Sequence, residues 1–158
     1  MKVNGMNTNS DIKDRCRSSQ IFALADIGVL TKLAKRAVSS TEKVRMLQEP
    51  AMGLVMMEAR DPVTGQSFYV GEVLVTSCQI EMEGLLGCAV VLGDDPDRAE
   101  SAAILDAALQ QPNVAEGLLK ALVEEERRVE ANRRAEWALV ARTRVQLETL
   151  EDRDANSI

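Results

Sequence analysis

Residues 53–92, GLVMMEARDPVTGQSFYVGEVLVTSCQIEMEGLLGCAVVL, decide the fold, because three apolar runs follow one another here with turn signals between them. Gly53 to Arg60 is almost continuously apolar and stops at Asp61-Pro62-Val63-Thr64-Gly65, a strong turn sequence. Ser67 to Ile80 alternates, with Phe68, Val70, Leu74 and Thr76 on one face and Tyr69, Val73 and Val75 on the other. Glu81-Met82-Glu83-Gly84 turns the chain into a third run, Leu85 to Leu92. The pattern predicts a strand meander. Both faces of these strands are apolar, so the sheet needs cover on both sides. A three-stranded sheet needs helices or another chain to supply that cover.

Helical signals flank the strands. From about Gln20, Phe22, Ala25, Val29, Leu33 and Ala37 recur at helical spacing, with Gly28 weakening the middle. Thr41 is a candidate cap for a second short helix that carries Val44 and Leu47 and closes at Pro50. Downstream, Asp95 suits an N-cap, Pro96 the first helical position and Asp97 the positive end of a helix. Ala99, Ala102, Ala103, Ala107 and Ala108 make that helix narrow enough for a sheet to approach closely, and Gln110-Gln111-Pro112 ends it.

From Val114 to about Arg153 the composition is helical. An unbroken helix of that length would run about 60 Å, against a domain diameter of about 40 Å, so it either bends back or leaves the body. Glu124–Arg128 and Glu130–Arg134 are spaced as i,i+4 pairs of an exposed helix. An apolar stripe resumes at Trp137, Val140 and Leu147, and a charged middle between apolar ends suggests an arm reaching a partner. The predicted class is α+β: about three antiparallel strands flanked by helices, with a long C-terminal helical arm. Residues 1–18 read as a flexible tail, and 19–155 as one domain whose C-terminal helix starts near 113.

The 158 residues fit a single domain, and 46% apolar with 28% charged residues is a globular composition. No apolar stretch approaches the roughly 18 residues that span a bilayer, and residues 1–14 lack a signal-peptide core. A cytoplasmic protein without a membrane partner is expected. A net charge of −6 and 3% aromatics supply neither the basic surface nor the stacking platforms that nucleic acid requires.

Histidine is absent, which removes the commonest general acid–base group and the commonest nitrogen ligand. Cys16, Cys78 and Cys88 are too scattered for a Cys-x-x-Cys pair, so no metal site is expected. No P-loop is present. Cys78 and Cys88 read as small buried apolar groups.

The candidate contact residues each have two readings. Glu72, on the strand face of Phe68, could orient a ligand or a partner arginine. An internal salt bridge or a solvent-facing place near a strand edge is favoured over that. Arg60 could meet phosphate or a carboxylate bidentately, or pair with Glu72 or Asp106. Asp106 lies on the small-residue helix face and reads as a hydrogen-bonded anchor between helix and sheet, and Trp137 marks the distal apolar stripe. Gly53, Gly71, Gly84, Gly87 and Gly93 could admit a ligand, although turns and bulges account for most of them. Met52, Met56 and Met57 fill a core or form a partner surface.

The stretch Pro50 to Gln111 resembles the G subunit family of the carbon–phosphorus lyase core complex (PhnG). The matching pieces are Gly53-Leu54-Val55-Met56 with Arg60, Thr64-Gly65 with Phe68, and Gly71-Glu72 with Leu74 and Thr76. Gly84, Gly87, Leu92-Gly93 and the Ala99-Glu100 to Asp106-Ala107 helix complete the set. Weaker similarity near Leu24-Ala25, Arg144-Val145 and Thr149 extends it to about residues 20–150. Two places depart from the family: Asp94-Asp95 stands where Arg-Asp is common, and Leu147-Glu148 where a Phe-Phe pair is.

The resemblance implies participation in phosphonate breakdown. That complex transfers the ribose triphosphate of MgATP to methylphosphonate and releases adenine. Nucleosidase chemistry belongs to a sister subunit and an iron–sulfur radical step to another, so MgATP and the cluster are expected on other chains. The resemblance also implies H-, I-, J-, K- and L-type subunits as partners and two copies of this chain per complex. It assigns no catalytic residue here. A self-contained homodimeric scaffold or regulatory protein is the second reading, and a lone carboxylate-based hydrolase or transferase the third.

Overall fold

The computed structural model describes residues 15–41 and 43–143. In chain order it contains α1 (Arg15–Leu24), α2 (Ile27–Ser39), β1 (Val44–Arg60), β2 (Ser67–Met82), β3 (Leu85–Leu92), α3 (Pro96–Ala108) and α4 (Pro112–Ala141). The strands form one antiparallel sheet in the order β1-β2-β3. This is the expected α+β meander with a long C-terminal helix.

The helical pattern expected from about Gln20 is two helices, and the first begins at Arg15, inside the stretch expected to be a tail. Asp26 breaks it: its Oδ1 accepts from Val29 N at 3.1 Å to cap α2, and its own N donates to Glu125 Oε1 at 3.0 Å. The short helix expected after Thr41 does not form. Val44 and Leu47 belong to β1, and Thr41 Oγ1 donates to Ala37 O at 2.9 Å at the end of α2. A helix that short is costly to nucleate, whereas Val44 and Met46 pair directly with Met82 and Ile80. Pro50 is tolerated because β1 is an edge strand and its register shifts between Gln48 and Ala51.

Both turns follow from local chemistry. Asp61 Oδ1 accepts from Val63 N at 2.7 Å and Thr64 N at 3.3 Å, which holds its carboxyl below the usual range. Glu83 (φ 51°) and Gly84 (φ 81°) close the β2–β3 hairpin with positive φ at both central residues, the type I′ pattern.

The core lies between α3 and the base of the sheet. Cys78, Ile80 and Met82 of β2 and Val91 of β3 pack against Ala102, Ala103 and Leu105 of α3, with Phe22, Leu30 and Leu122 from the other helices. The alanine face of α3 comes closest at Gly87, where an added Cβ would stand 2.1 Å from Ala103 O.

Among the described residues, helices cover one sheet face only. On the other, Leu86, Val90 and Leu92 are exposed. Beyond the base, β1 and β2 run on as a two-stranded hairpin arm, exposed over most of Ala51–Arg60 and Ser67–Leu74. Helix α4 buries Ala115, Leu118, Leu119 and Leu122, then leaves the body: every described residue from Ala131 onward is exposed.

Candidate functional site

The feature that stands out is the uncovered arm. Met52, Leu54 and Met56 share one of its faces with Leu74, and Val55 and Met57 share the other with Val73. Met52 and Leu54 are 64% and 63% exposed, Tyr69 65%. An isolated two-stranded hairpin is marginal in water, and a contiguous apolar surface of this kind marks an interaction site. The methionines are therefore surface, not core filling. Val63 and Phe68 continue the exposed apolar set toward the tip.

The four contact residues proposed from sequence do not converge. Glu72 is exposed on the arm opposite Met56 and takes part in no ion pair among the described residues. Arg60 pairs with neither Glu72 nor Asp106: its Nε donates to Gly65 O at 2.8 Å and fastens the hairpin tip. Asp106 is buried between helix and sheet. Its Oδ2 accepts from Cys88 N at 3.0 Å and its Oδ1 from Arg15 Nε at 3.1 Å, with a second contact from Arg15 Nη2. The hydrogen bond to the Asp106 carboxylate and its charge push the Arg15 guanidinium pKa up from its ordinary value. Trp137 is exposed on α4 beside Leu139 and Val140, and Leu147 lies outside the described residues.

The network with most partners was not singled out from sequence. Arg98 Nη1 donates to Phe22 O and Ala25 O, both at 2.9 Å, while its Nε donates to Asp95 Oδ2 at 2.9 Å. Asp95 caps α3 by accepting from Arg98 N at 3.0 Å, and its own N donates to Thr76 Oγ1 at 3.1 Å. Thr76 Oγ1 in turn donates to Gly93 O at 2.7 Å. Only the Asp95 cap was read from the sequence; the carbonyl partners of Arg98 are long-range.

On α4, Glu130–Arg134 pairs as expected at 3.1 Å, but Arg128 pairs with Glu125 at 2.7 Å and Arg127 with Glu124. Glu125 is buried and accepts from Asp26 N, so Arg128 is drawn to neutralise it.

The cysteines also divide. Cys78 faces the helix side of the sheet, with Sγ 3.5 Å from Gln48 O, and burial pushes its thiol up to about 11. Cys88, expected to be buried, is exposed on the opposite side, because alternation along β3 gives the helix side to Gly87 and Ala89. A thiol reagent at pH 8 should label Cys16 and Cys88 rapidly and Cys78 only on unfolding, read by mass spectrometry; early Cys78 labelling would show that the β2 core opens. Cys78 and Cys88 thus point to opposite faces and do not converge on an iron–sulfur cluster.

A family described as phosphonate metabolism protein PhnG matches residues 13–152. The chain belongs to this family. Among curated proteins, it resembles the alpha-D-ribose 1-methylphosphonate 5-triphosphate synthase subunit PhnG of Rhizobium meliloti (strain 1021). The two are 31% identical over 103 residues, which is 65% of this chain and 65% of the relative, so the match spans slightly less than two thirds of that protein. Of the Asp94-Asp95 pair, it is Asp95 that caps α3. Leu147-Glu148, Arg144-Val145 and Thr149 lie outside the described residues. Among the described residues no helix is long and apolar enough to cross a membrane.

Proposed function

We propose that this PhnG-family chain is an accessory, structural subunit of a carbon–phosphorus lyase assembly in the cytoplasm. The assembly transfers the ribose triphosphate of MgATP to methylphosphonate with release of adenine. MgATP and the iron–sulfur chemistry reside on sister chains, and the partners are H-, I-, J-, K- and L-type subunits around two copies of this one. The observation that carries the reading is the hairpin arm, a two-stranded ribbon apolar on both faces and covered on neither. Such a surface is complete only when another protein packs on it. The name of the Rhizobium meliloti relative, a synthase subunit, agrees with that role.

The chain's own chemistry supports a structural part. The buried carboxylates among the described residues, Asp106 and Glu125, are occupied by Cys88 N with Arg15, and by Asp26 N with Arg128.

The test is co-expression of tagged chain with the sister subunits, followed by size-exclusion chromatography with light scattering. Wild type should co-elute, and Leu54→Asp together with Val55→Asp, one charge on each face of the arm, should abolish co-elution. Wild-type chain that runs as a soluble homodimer indifferent to those partners would sink the reading in favour of a self-contained scaffold, and normal assembly of the double variant would overturn the arm as the docking surface.

A further inference from the structure

The two edges of the sheet are treated differently. Along β3, the outward Cys88 N–H donates to Asp106 Oδ2 at 3.0 Å, and the outward Leu86 C=O accepts from Gln110 Nε2 at 2.8 Å. Two side chains of α3 and its C-terminal end thus occupy backbone groups that a passing strand would use, the usual protection of an edge. Among the described residues no side chain protects the outward backbone of β1 between Ala51 and Met57 in this way.

Backbone alternation identifies which β1 groups are free. Since Leu86 and Cys88 point outward, Gly87 and Ala89 point to β2, and they pair with Ile80 and Cys78. The even-numbered residues of β2 therefore bond to β3, as the 2.8 Å bond from Gly93 N to Leu74 O also shows. Odd-numbered Gly71, Val73, Val75 and Ser77 bond to β1, through Met57, Val55, Gly53 and Ala51. The intervening residues, Met52, Leu54 and Met56, direct both N–H and C=O away from the sheet. They lie in the longest stretch of β1 without a register shift, Ala51 to Met57, and their side chains are exposed.

We propose that β1 takes up an extended segment of a sister subunit as an added strand, bonded to the outward backbone groups of Met52, Leu54 and Met56. This rests on the subunit reading above and specifies its recognition mode. A heterologous strand fits better than a second copy. A seven-residue edge pairing between two arms would cover one edge and neither apolar face, far below the ~1,200 Å² of a stable interface. A sister chain can supply the strand and also pack on the faces. The added segment carries apolar residues at every second position, matching the pleat beside Leu54 and Met56.

Proline separates backbone from side-chain recognition. At an outward-facing edge position it removes the free N–H and narrows φ while leaving the bonds to β2 in place, and edge strands accept it. Leu54→Pro and Met56→Pro should each weaken co-elution with the sister subunits at least tenfold, while Leu54→Ala and Met56→Ala stay within a few fold of wild type. Circular dichroism and melting of the lone variants confirm that the body is intact. Equal loss in the proline and alanine variants would overturn strand addition and leave side-chain docking of the arm. A homodimer of the lone chain that Leu54→Pro dissolves would overturn it in favour of a second copy. Failure of the subunit reading is visible separately, as wild-type chain that does not co-elute with the sister subunits.

Discussion

Gly87→Ala should lower the melting temperature by roughly 6–12 °C, the largest effect expected from adding one methyl group to this chain. The new Cβ would sit 2.1 Å from Ala103 O, 2.8 Å from Ala107 Cβ and 3.0 Å from Ala107 N. Two of those neighbours are backbone of α3, so no side-chain rotation relieves the clash. The helix must lift from β3 along its whole contact with the sheet, and the strain spreads to Ile80, Val91 and Leu105, which that contact buries. Overpacking on this scale costs about 3 kcal/mol, a large part of the 5–15 kcal/mol that holds a domain together. Gly53→Ala is the matched control, since nothing lies within 4 Å of its added Cβ and its φ is not positive. It should melt within about 2 °C of wild type. A Gly87→Ala protein that melts like the Gly53→Ala control would mean that α3 does not rest on β3 as described.

That contrast shows what the sequence carried. The alanines at 99, 102, 103 and 107 announced a helix that something approaches closely, and the strand runs and turns announced a three-stranded meander. These are local signals, set by composition and by turn chemistry such as Glu83-Gly84. Which glycine meets the alanines is not local: Gly53, Gly71 and Gly87 look alike in sequence, and only the third lies under α3.

The misread helix after Thr41 has the same origin. Val44 and Leu47 fit a helical spacing as well as a strand, and the pairing of Val44 with Met82 and of Met46 with Ile80, more than thirty residues away, decides the matter. The interaction surface was half legible. Apolar residues on both strand faces pointed to cover from outside, but the sequence could not say that helices cover the base and leave the arm bare. Arg60 and Glu72 were chosen for their charge. The groups that distinguish the arm are backbone amides, which have no residue-type signal.

Arg98→Met should cost about 3–4 kcal/mol in urea unfolding, more than any other single charge removed from this chain. Methionine keeps the aliphatic stem, so the change isolates the guanidinium. That group binds Phe22 O and Ala25 O at the C-terminal end of α1 and Asp95 Oδ2 at the N-terminus of α3, and its side chain is only 17% exposed. Its loss strands two carbonyls that α1 cannot satisfy itself and removes the positive charge that the C-terminal end of a helix favours.

Arg98→Lys should recover less than half of the cost, because an ammonium group cannot span both helices with a planar fork. Asp95→Asn should cost about 1 kcal/mol, since asparagine still caps α3 and only the charge is lost. Combined with Arg98→Met, it should add less than the sum of the two, because both changes break one bond, Asp95 to Arg98. The unfolding slope should stay at the wild-type value, so that the shift reports stability and not a looser native state. A loss below about 0.5 kcal/mol for Arg98→Met, the range of ordinary surface substitutions, would show that α1 is held to α3 by apolar contact alone. Ile21, Phe22 and Ala25 against Ala99 and Ala102 would then be the whole of that junction.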